Sequence, residues 1–464
     1  MRIQRFWARN YRSLRDITLD GLGAFNVFYG PNGSGKSNVL RGIQALVRAT
    51  ELWAGYEKPG DARFAAALAR GVLTSDDQRR SRGGGEHSTT LGFEVVADDT
   101  YPVLENDLSL GNKYYRHLQV ELSIEWSEGR PFSATIEVRF DGKPLAEAEE
   151  IARASTPGAF PQSPLARATL ARVASRLFWL VGADRALRDE QLRDLPPAAA
   201  VTATETPALR EDPILAALRE GRLQTAIFHA KNDLNSANRH RFSLLQSLLA
   251  ETLHLPPLDV GRDPSTGLID LRQPLPGSDE VGDVSMRSAG LGVEQVVAIV
   301  ASILFAQCRI GALEEPEAHL HAPTTGRALR KLLKRLVEPG EGAPRVLHQL
   351  FVATHSNLFD LDPTGYWDVS LVEGATVIER KALRELYGHH LYEPGPAKLL
   401  LADALRHFGD EVVFRAKDGR RIEATEMLKL LDEDDDLALE FLRDMHAAAL
   451  AALRVRAARG EGKP

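Results

Sequence analysis

A single cysteine, Cys308, is present in the 464 residues, so no internal disulfide can staple the chain. Long apolar runs are missing as well. The nearest approach to the ~18 residues of a membrane span, VEQVVAIVASILFA, carries Glu294 and Gln295. The opening stretch, MRIQRFWARNYRSLRD, lacks the apolar segment of a signal peptide. Together these absences predict a soluble protein with a cytoplasmic location and no membrane partner. There is also no surplus of positive charge. A net charge of -7 argues against bulk attraction to nucleic acid, so any such binding has to come from a local basic patch. No internal repeat is visible.

What is present reads as globular. Hydrophobic residues make up 44% and charged residues 26% of the chain, enough for a sizeable core. At ~150 residues per domain the length corresponds to roughly three units. The opening alternates as strands do, in RIQRFWARNY, LRDITL and AFNVFY, a pattern that predicts a meander feeding a glycine-rich loop. From Lys36 onward Val39, Leu40, Ile43, Leu46 and Val47 fall at helical spacing. Residues 76–88 read as a flexible loop, and TTLGFEVVA, LQVELSIEW and SATIEVRF predict a β-rich subdomain around 88–145. Residues 146–255 turn Ala/Arg/Leu/Glu-rich and predict a helical insertion projecting from the main body, interrupted by one strand at 176–185. LPPLDV and GLIDLRQ read as two strands, and HQLFVATHSNLFDLD as a strand followed by a turn. The last eighty or so residues are mainly helical, with a hairpin at EVVFRAKDGRRI.

GPNGSGKS, residues 30–37, is the segment richest in chemistry. It satisfies G-x-x-x-x-G-K-[ST] and sits between a predicted strand and a predicted helix. Gly30, Gly33 and Gly35 allow the loop, with Pro31, Asn32 and Ser34, to turn its N–H groups onto phosphate oxygens at a helix N-terminus. Lys36 then neutralises the β/γ phosphates and Ser37 ligates Mg²⁺. The competing reading is a glycine-rich turn that binds nothing. LEEPEAHLH places Glu314 and Glu315 after a short apolar stretch, so one carboxylate can hold Mg²⁺ through water while its neighbour polarises the attacking water. The plainer reading is a charged helix start beside proline.

RFWARNYRSLRDITLDGLGAFNVFYGPNGSGKSNVLRGIQAL, LEEPEAHLH and FVATHSN together resemble the ABC-type ATPases of the RecF/SMC and OLD group. The resemblance covers roughly 1–60 and 255–375. It implies ATP and Mg²⁺ as cofactors, Glu314 as the Walker B metal residue, Glu315 as the catalytic carboxylate, and His355 as the switch histidine that senses the γ-phosphate. It implies too that RSAGLGVEQ is the signature loop, with Ser288, Gly290 and Gly292 reaching in trans across a head-to-tail homodimer. This loop is not the LSGGQ of transporters. Two departures stand out: Arg309 and Gly311 weaken the apolar strand before Glu314, and no Q-loop glutamine can be placed.

Other signals are weaker. LVEGAT at 371–376 and LDEDDD at 431–436 only superficially offer the acidic set of a TOPRIM nuclease, since the cluster lies in a helix-like pattern. Glu317, His319 and His321 match the dimer-contact loop rather than a metal site, and His389 and His390 read as solvated. The helix at 326–337 carries Arg327, Arg330, Lys331, Lys334 and Arg335 opposite four leucines, and a solvated face over a packed stripe is favoured over DNA contact.

The fold expected is α/β: an ABC-type head split between 1–145 and 256–380, the insertion at 146–255, and a helical C-terminal region at 381–464. The function expected is ATP hydrolysis with dimerisation, in DNA repair and maintenance or antiviral defence, with a separate nuclease or toxin as effector and DNA as a further candidate partner. The alternative is a nucleotide-gated scaffold with little turnover.

Overall fold

The computed structural model describes residues 1–54, 61–73, 77, 87–97, 109–110, 113–127, 130–154, 165–183, 187, 190–191, 212–263, 265–274, 283–288, 290–320, 323–339, 345–362, 364–382, 404–416, 419–432 and scattered positions between 437 and 448. Two compact units result, Met1–Lys381 and Ala382–Pro464.

The first unit opens with β1 (Arg2–Tyr11), β2 (Leu14–Asp20) and β3 (Phe25–Tyr29), followed by the glycine loop, α1 (Lys36–Ala54) and α2 (Asp61–Gly71). Next come β4 (His87–Val96), the short pair β5 (Ser109–Leu110) and β6 (Lys113–Tyr114), β7 (His117–Ser127), β8 (Arg130–Phe140) and β9 (Lys143–Pro144). The middle holds α3 (Leu145–Ala154), α4 (Leu165–Leu177), β10 (Phe178–Val181), β11 (Glu190–Gln191), α5 (Pro213–Arg219), α6 (Leu223–Asn232) and α7 (Ser236–Leu253). The last third of the unit contains β12 (Asp259–Arg262), β13 (Leu268–Pro274), β14 (Asp283–Ser285), α8 (Leu291–Ala306), β15 (Ile310–Glu314), α9 (Pro323–Val337), β16 (Gln349–Thr354), β17 (Tyr366–Val372) and β18 (Ala375–Lys381).

Two six-stranded sheets organise this unit, in the orders β2-β1-β4-β7-β8-β9 and β10-β15-β16-β3-β17-β18. The first is antiparallel and alternates buried with less buried residues, as in β7, because one face is packed and the other wet. In the second sheet β10, β15, β16, β3 and β17 run parallel, and β18 closes the edge antiparallel. β3, β15 and β16 are buried at every position, as parallel strands covered on both faces must be.

α1 packs against strands of both sheets, and the core is continuous from Phe6, Leu91 and Val120 through Val39, Ile43 and Leu46 to Phe28 and Phe351. Gly42 sits where α1 meets the first sheet; a Cβ there would lie 3.1 Å from the Phe6 ring and 3.4 Å from Tyr11. α8 is buried nearly all round, packed against α5, α6, α7, α9 and β10.

Three expectations change here. The opening is not a meander: β1 and β2 pair as a hairpin, while β3 leaves for the centre of the other sheet. The β-rich subdomain therefore starts at Arg2 and not near residue 88. The described elements of 146–255 do not project as an insertion, since α4 packs on α1, β10 extends the parallel sheet beside β15, and α5–α7 cover α8. Asp77, placed in a flexible loop by composition, is buried and accepts hydrogen bonds from the Tyr11 hydroxyl at 2.8 Å and Arg12 Nε at 2.7 Å.

In the second unit β19 (Val412–Arg415) and β20 (Arg421–Glu423) form a hairpin against α10 (Ala424–Asp432), around Phe414, Ile422, Met427 and Phe441. The acidic residues 433–436 and His389, His390 and His321 lie outside the described residues.

Candidate nucleotide site

The register of the parallel sheet assembles the site. Glu314 pairs with Ala353, Ala353 pairs with Phe28, and Thr354 with Tyr29. Three strands therefore end on one edge and release Glu315, His355 and Gly30 side by side. This is the carboxyl edge at which open α/β sheets bind ligands.

Glycine is required in the loop for steric reasons. A Cβ on Gly30 would lie 2.1 Å from the Val369 carbonyl oxygen, and Gly33 and Gly35 have φ of 78° and 101°. Lys36, only 4% exposed, donates to the carbonyls of Gly30 and Pro31, both at 2.8 Å. Burial pulls the ammonium below its ordinary range, while Glu315 and Glu317 act in the opposite direction. Ser34 Oγ is buried in the loop without a hydrogen-bond partner among the described residues, a polar atom that a ligand could satisfy. Pro31, Asn32 and Gly33 form an exposed rim, and Ser37 is half-buried.

The loop is held from outside by a chain of hydroxyls. Asn38 Nδ2 donates to Ser13 Oγ at 2.7 Å, Ser13 and Thr376 hydroxyls lie 2.6 Å apart, and Thr376 Oγ1 donates to the Ser34 carbonyl at 2.9 Å. Each hydroxyl has one proton, so the Ser13 proton must point to Thr376. LVEGAT is thus the β17–β18 turn: Glu373 and Gly374 supply its left-handed residues, and Thr376 braces the phosphate loop.

The carboxylates divide their contacts. Glu314, at the end of β15, is 6% exposed and held two-pronged by Arg41, with Nε to Oε1 at 3.0 Å and Nη2 to Oε2 at 3.2 Å. Glu315 has φ of 44°, and its N–H donates to the Ala353 carbonyl at 2.8 Å. That left-handed φ marks the chain reversal at the end of β15. Glu317 Oε1 accepts from Thr354 Oγ1 at 2.6 Å and from the His355 N–H at 2.9 Å, and lies 3.1 Å from His355 Nδ1. His355 is therefore oriented by Glu317 while 45% of its side chain stays exposed.

Gly311 does not weaken the Glu314 strand as expected. A Cβ there would lie 2.9 Å from Leu347 Cδ1, so its absence admits that leucine, and β15 is fully buried. Ser288 and Gly290 stand exposed at the start of α8, where Gly290 caps the helix with φ of 95° and Gly292 is half-buried. Among the described residues no hydrogen bond or ion pair ties them to the phosphate loop. His319 is exposed, and no group of three or more His, Cys, Asp or Glu side chains able to hold a metal occurs among the described residues. On α9, Arg330 pairs with Asp360 and Arg335 with Glu251, so two of the five basic residues are already neutralised.

Sequence reasoning missed Arg41, Ser13, Asn38 and Thr376 and the orienting role of Glu317. Only Arg41 carried a local signal, lying one helical turn beyond Ser37.

A family profile described as "AAA domain, putative AbiEii toxin, Type IV TA system" matches residues 25–362. Two curated relatives named DNA replication and repair protein RecF match over 46 residues, 10% of this chain: that of Acinetobacter baylyi at 44% identity and that of Acinetobacter baumannii at 46%. The matched stretch spans 13% of the length of those relatives. Among solved structures, an SmcHead bound to the C-winged helix domain of ScpA aligns at 12% identity and a TM-score of 0.46, covering 83% of this chain and 99% of that one. The SMC head domain from Thermotoga maritima aligns at 14% identity and a TM-score of 0.38, covering 82% and 99%.

Proposed function

The chain belongs to the AAA-domain family of P-loop ATPases, and on that premise we propose that it is an ABC-type ATPase head of the RecF/SMC-like group that binds ATP with Mg²⁺ and hydrolyses it. The observation that carries this reading is the common edge of β3, β15 and β16, where Lys36, Glu315, Glu317 and His355 converge.

The side chains act in different ways. Lys36 offers a buried positive charge to phosphate. Ser37 and Glu314 would hold Mg²⁺, which supplies charge neutralisation at the phosphate oxygens. Glu315, next to Glu314 in sequence and acting electrostatically on Lys36, takes the proton of the attacking water. His355, held through Nδ1 by Glu317, presents its other nitrogen to the γ-phosphate. Ser288, Gly290 and Gly292, exposed at the start of α8, are suited to contact the nucleotide of a second copy in a head-to-tail homodimer. The biological setting proposed is DNA maintenance or antiphage defence in the cytoplasm, with a separate effector protein and with DNA as a further candidate partner.

A nucleotide-gated scaffold with little turnover is the second reading. It is favoured by the engagement of Glu314, the proposed metal carboxylate, with Arg41. Glu315→Gln separates the two. An ATPase should keep nucleotide binding, lose at least ~100-fold in turnover, and accumulate a dimer by light scattering. Unchanged hydrolysis in Glu315→Gln would refute the catalytic assignment. Negligible hydrolysis by the wild type, with ATP-dependent mass intact, would establish the scaffold.

A further inference from the structure

We infer that Arg41 is a resident counter-cation for Glu314, competing with Mg²⁺ for that carboxylate and thereby setting how much free Mg²⁺ the site requires. The inference rests on the reading of this edge as an ATP·Mg²⁺ site.

Both oxygens of Glu314 meet the guanidinium, at 3.0 and 3.2 Å, and the carboxylate is 6% exposed against 46% for Arg41. A buried carboxylate without a counter-charge is strongly unfavourable. A two-pronged guanidinium is the strongest partner that a side chain can offer, and it never loses its charge. Lys36 takes no part in this pairing, because it donates to Gly30 and Pro31 and the carboxylates acting on it are Glu315 and Glu317. The two cations of the site are therefore assigned to different acids.

Helix geometry places the rival close to the metal ligands. Arg41 follows Ser37 by four residues on α1, so both side chains lie on one face of the helix that faces the end of β15. A divalent ion drawn to Ser37 and Glu314 meets a fixed positive charge on the same carboxylate. The carboxylate must then be shared, weakening the hold on the metal, or Arg41 must turn outward. Its 46% exposure gives the guanidinium water to turn into. The same ion pair would compensate the buried Glu314 carboxylate whenever no metal is bound.

The test uses the full chain and two substitutions, Arg41→Gln, which removes the charge, and Arg41→Lys, which keeps it but loses the fork. Binding of a fluorescent ATP analogue is titrated against free Mg²⁺, and thermal unfolding is followed without metal or nucleotide. Arg41→Gln should half-saturate at roughly tenfold lower free Mg²⁺, with Arg41→Lys between it and the wild type. Both variants should melt earlier than the wild type without metal and regain stability as Mg²⁺ and nucleotide are added. If Arg41→Gln fails to fold, Arg41→Lys alone carries the comparison. An unchanged or raised Mg²⁺ requirement in a variant that still binds nucleotide would overturn the competition while leaving the ATP site intact. Failure of the wild type to bind nucleotide at any Mg²⁺ concentration would instead remove the reading beneath it.

Discussion

Thr376 donates its hydroxyl to the carbonyl of Ser34 at 2.9 Å, bracing the phosphate loop from a hairpin 342 positions further along the chain. The neighbouring Gly35 leaves no room for a side chain, because a Cβ there would lie 2.0 Å from Thr376 Oγ1 and 2.7 Å from Ser13 Oγ. Gly35→Ala must therefore displace the brace and accept a left-handed φ, at a cost of about 1–3 kcal/mol. The expected result is loss of ATP-analogue binding with a lowered melting temperature. Thr376→Val keeps the volume and removes two hydrogen bonds, to Ser34 and Ser13, at about 0.5–1.5 kcal/mol of stability each, with a smaller fall in affinity. Equal effects of the two substitutions would contradict the steric account.

Glu317 should matter to turnover more than to binding. Its Oε1 holds the Thr354 hydroxyl, the His355 N–H and the His355 ring. Glu317→Ala releases all three, so kcat should fall by about tenfold or more with KM nearly unchanged, the pattern of an interaction used only in the transition state. Steady-state ATPase assays would show it. A rise in KM at constant kcat would relocate Glu317 to nucleotide binding.

Gly311→Val tests the packing beneath Glu314. The Cβ alone would lie 2.9 Å from Leu347 Cδ1 and 3.4 Å from Leu350 Cδ1. Overpacking of this kind costs about 1–3 kcal/mol. Urea unfolding should show a lower midpoint at an unchanged slope, and an unaltered midpoint would mean that the leucines can move aside.

Tyr11 makes stability fall at alkaline pH. Burial first, and then the Asp77 carboxylate, raise its phenol well above the ordinary value of 10.0. A group whose folded pKa is raised contributes fully below its unfolded pKa, and that contribution is lost as pH climbs toward the folded value. Tyr11→Phe should therefore cost about 1–2 kcal/mol at pH 8, where the phenol donates to Asp77. The gap to the wild type should narrow above pH 10. Melting curves at several pH values would check this, and a constant gap would exclude ionisation of Tyr11 as the cause.

The strand, loop and helix around residues 30–37 are legible because a short, nearly continuous apolar run in AFNVFY gives way to helical apolar spacing after Lys36. The buried helix at 291–306 is legible from its nearly unbroken apolar run. Partner strands are not: AFNVFY and LRDITL look alike as strands, yet β2 pairs with β1 while β3 pairs with β16 and β17. Alternation reports which face is buried and says nothing of the neighbour. β10 is visible as a strand, but its place beside β15 depends on long-range pairing. Arg41 and Thr376 escape a reading of the sequence for the same reason, since their partners, Glu314 and Ser34, lie hundreds of positions away.

The placement of β3 also governs the timing of synthesis. FNVFY, buried at every position, finds its strand partners among the described residues in 350–354 and 367–368. A ribosome adding ~5–20 residues per second leaves that strand without partners for roughly tens of seconds. During the wait it presents apolar edges that a chaperone can cover and a second nascent chain can capture. A message cut short before residue 350 would release a chain holding the whole phosphate loop but no strand to lay beside it, a product fated for aggregation or proteolysis and with no framework on which to hold a nucleotide.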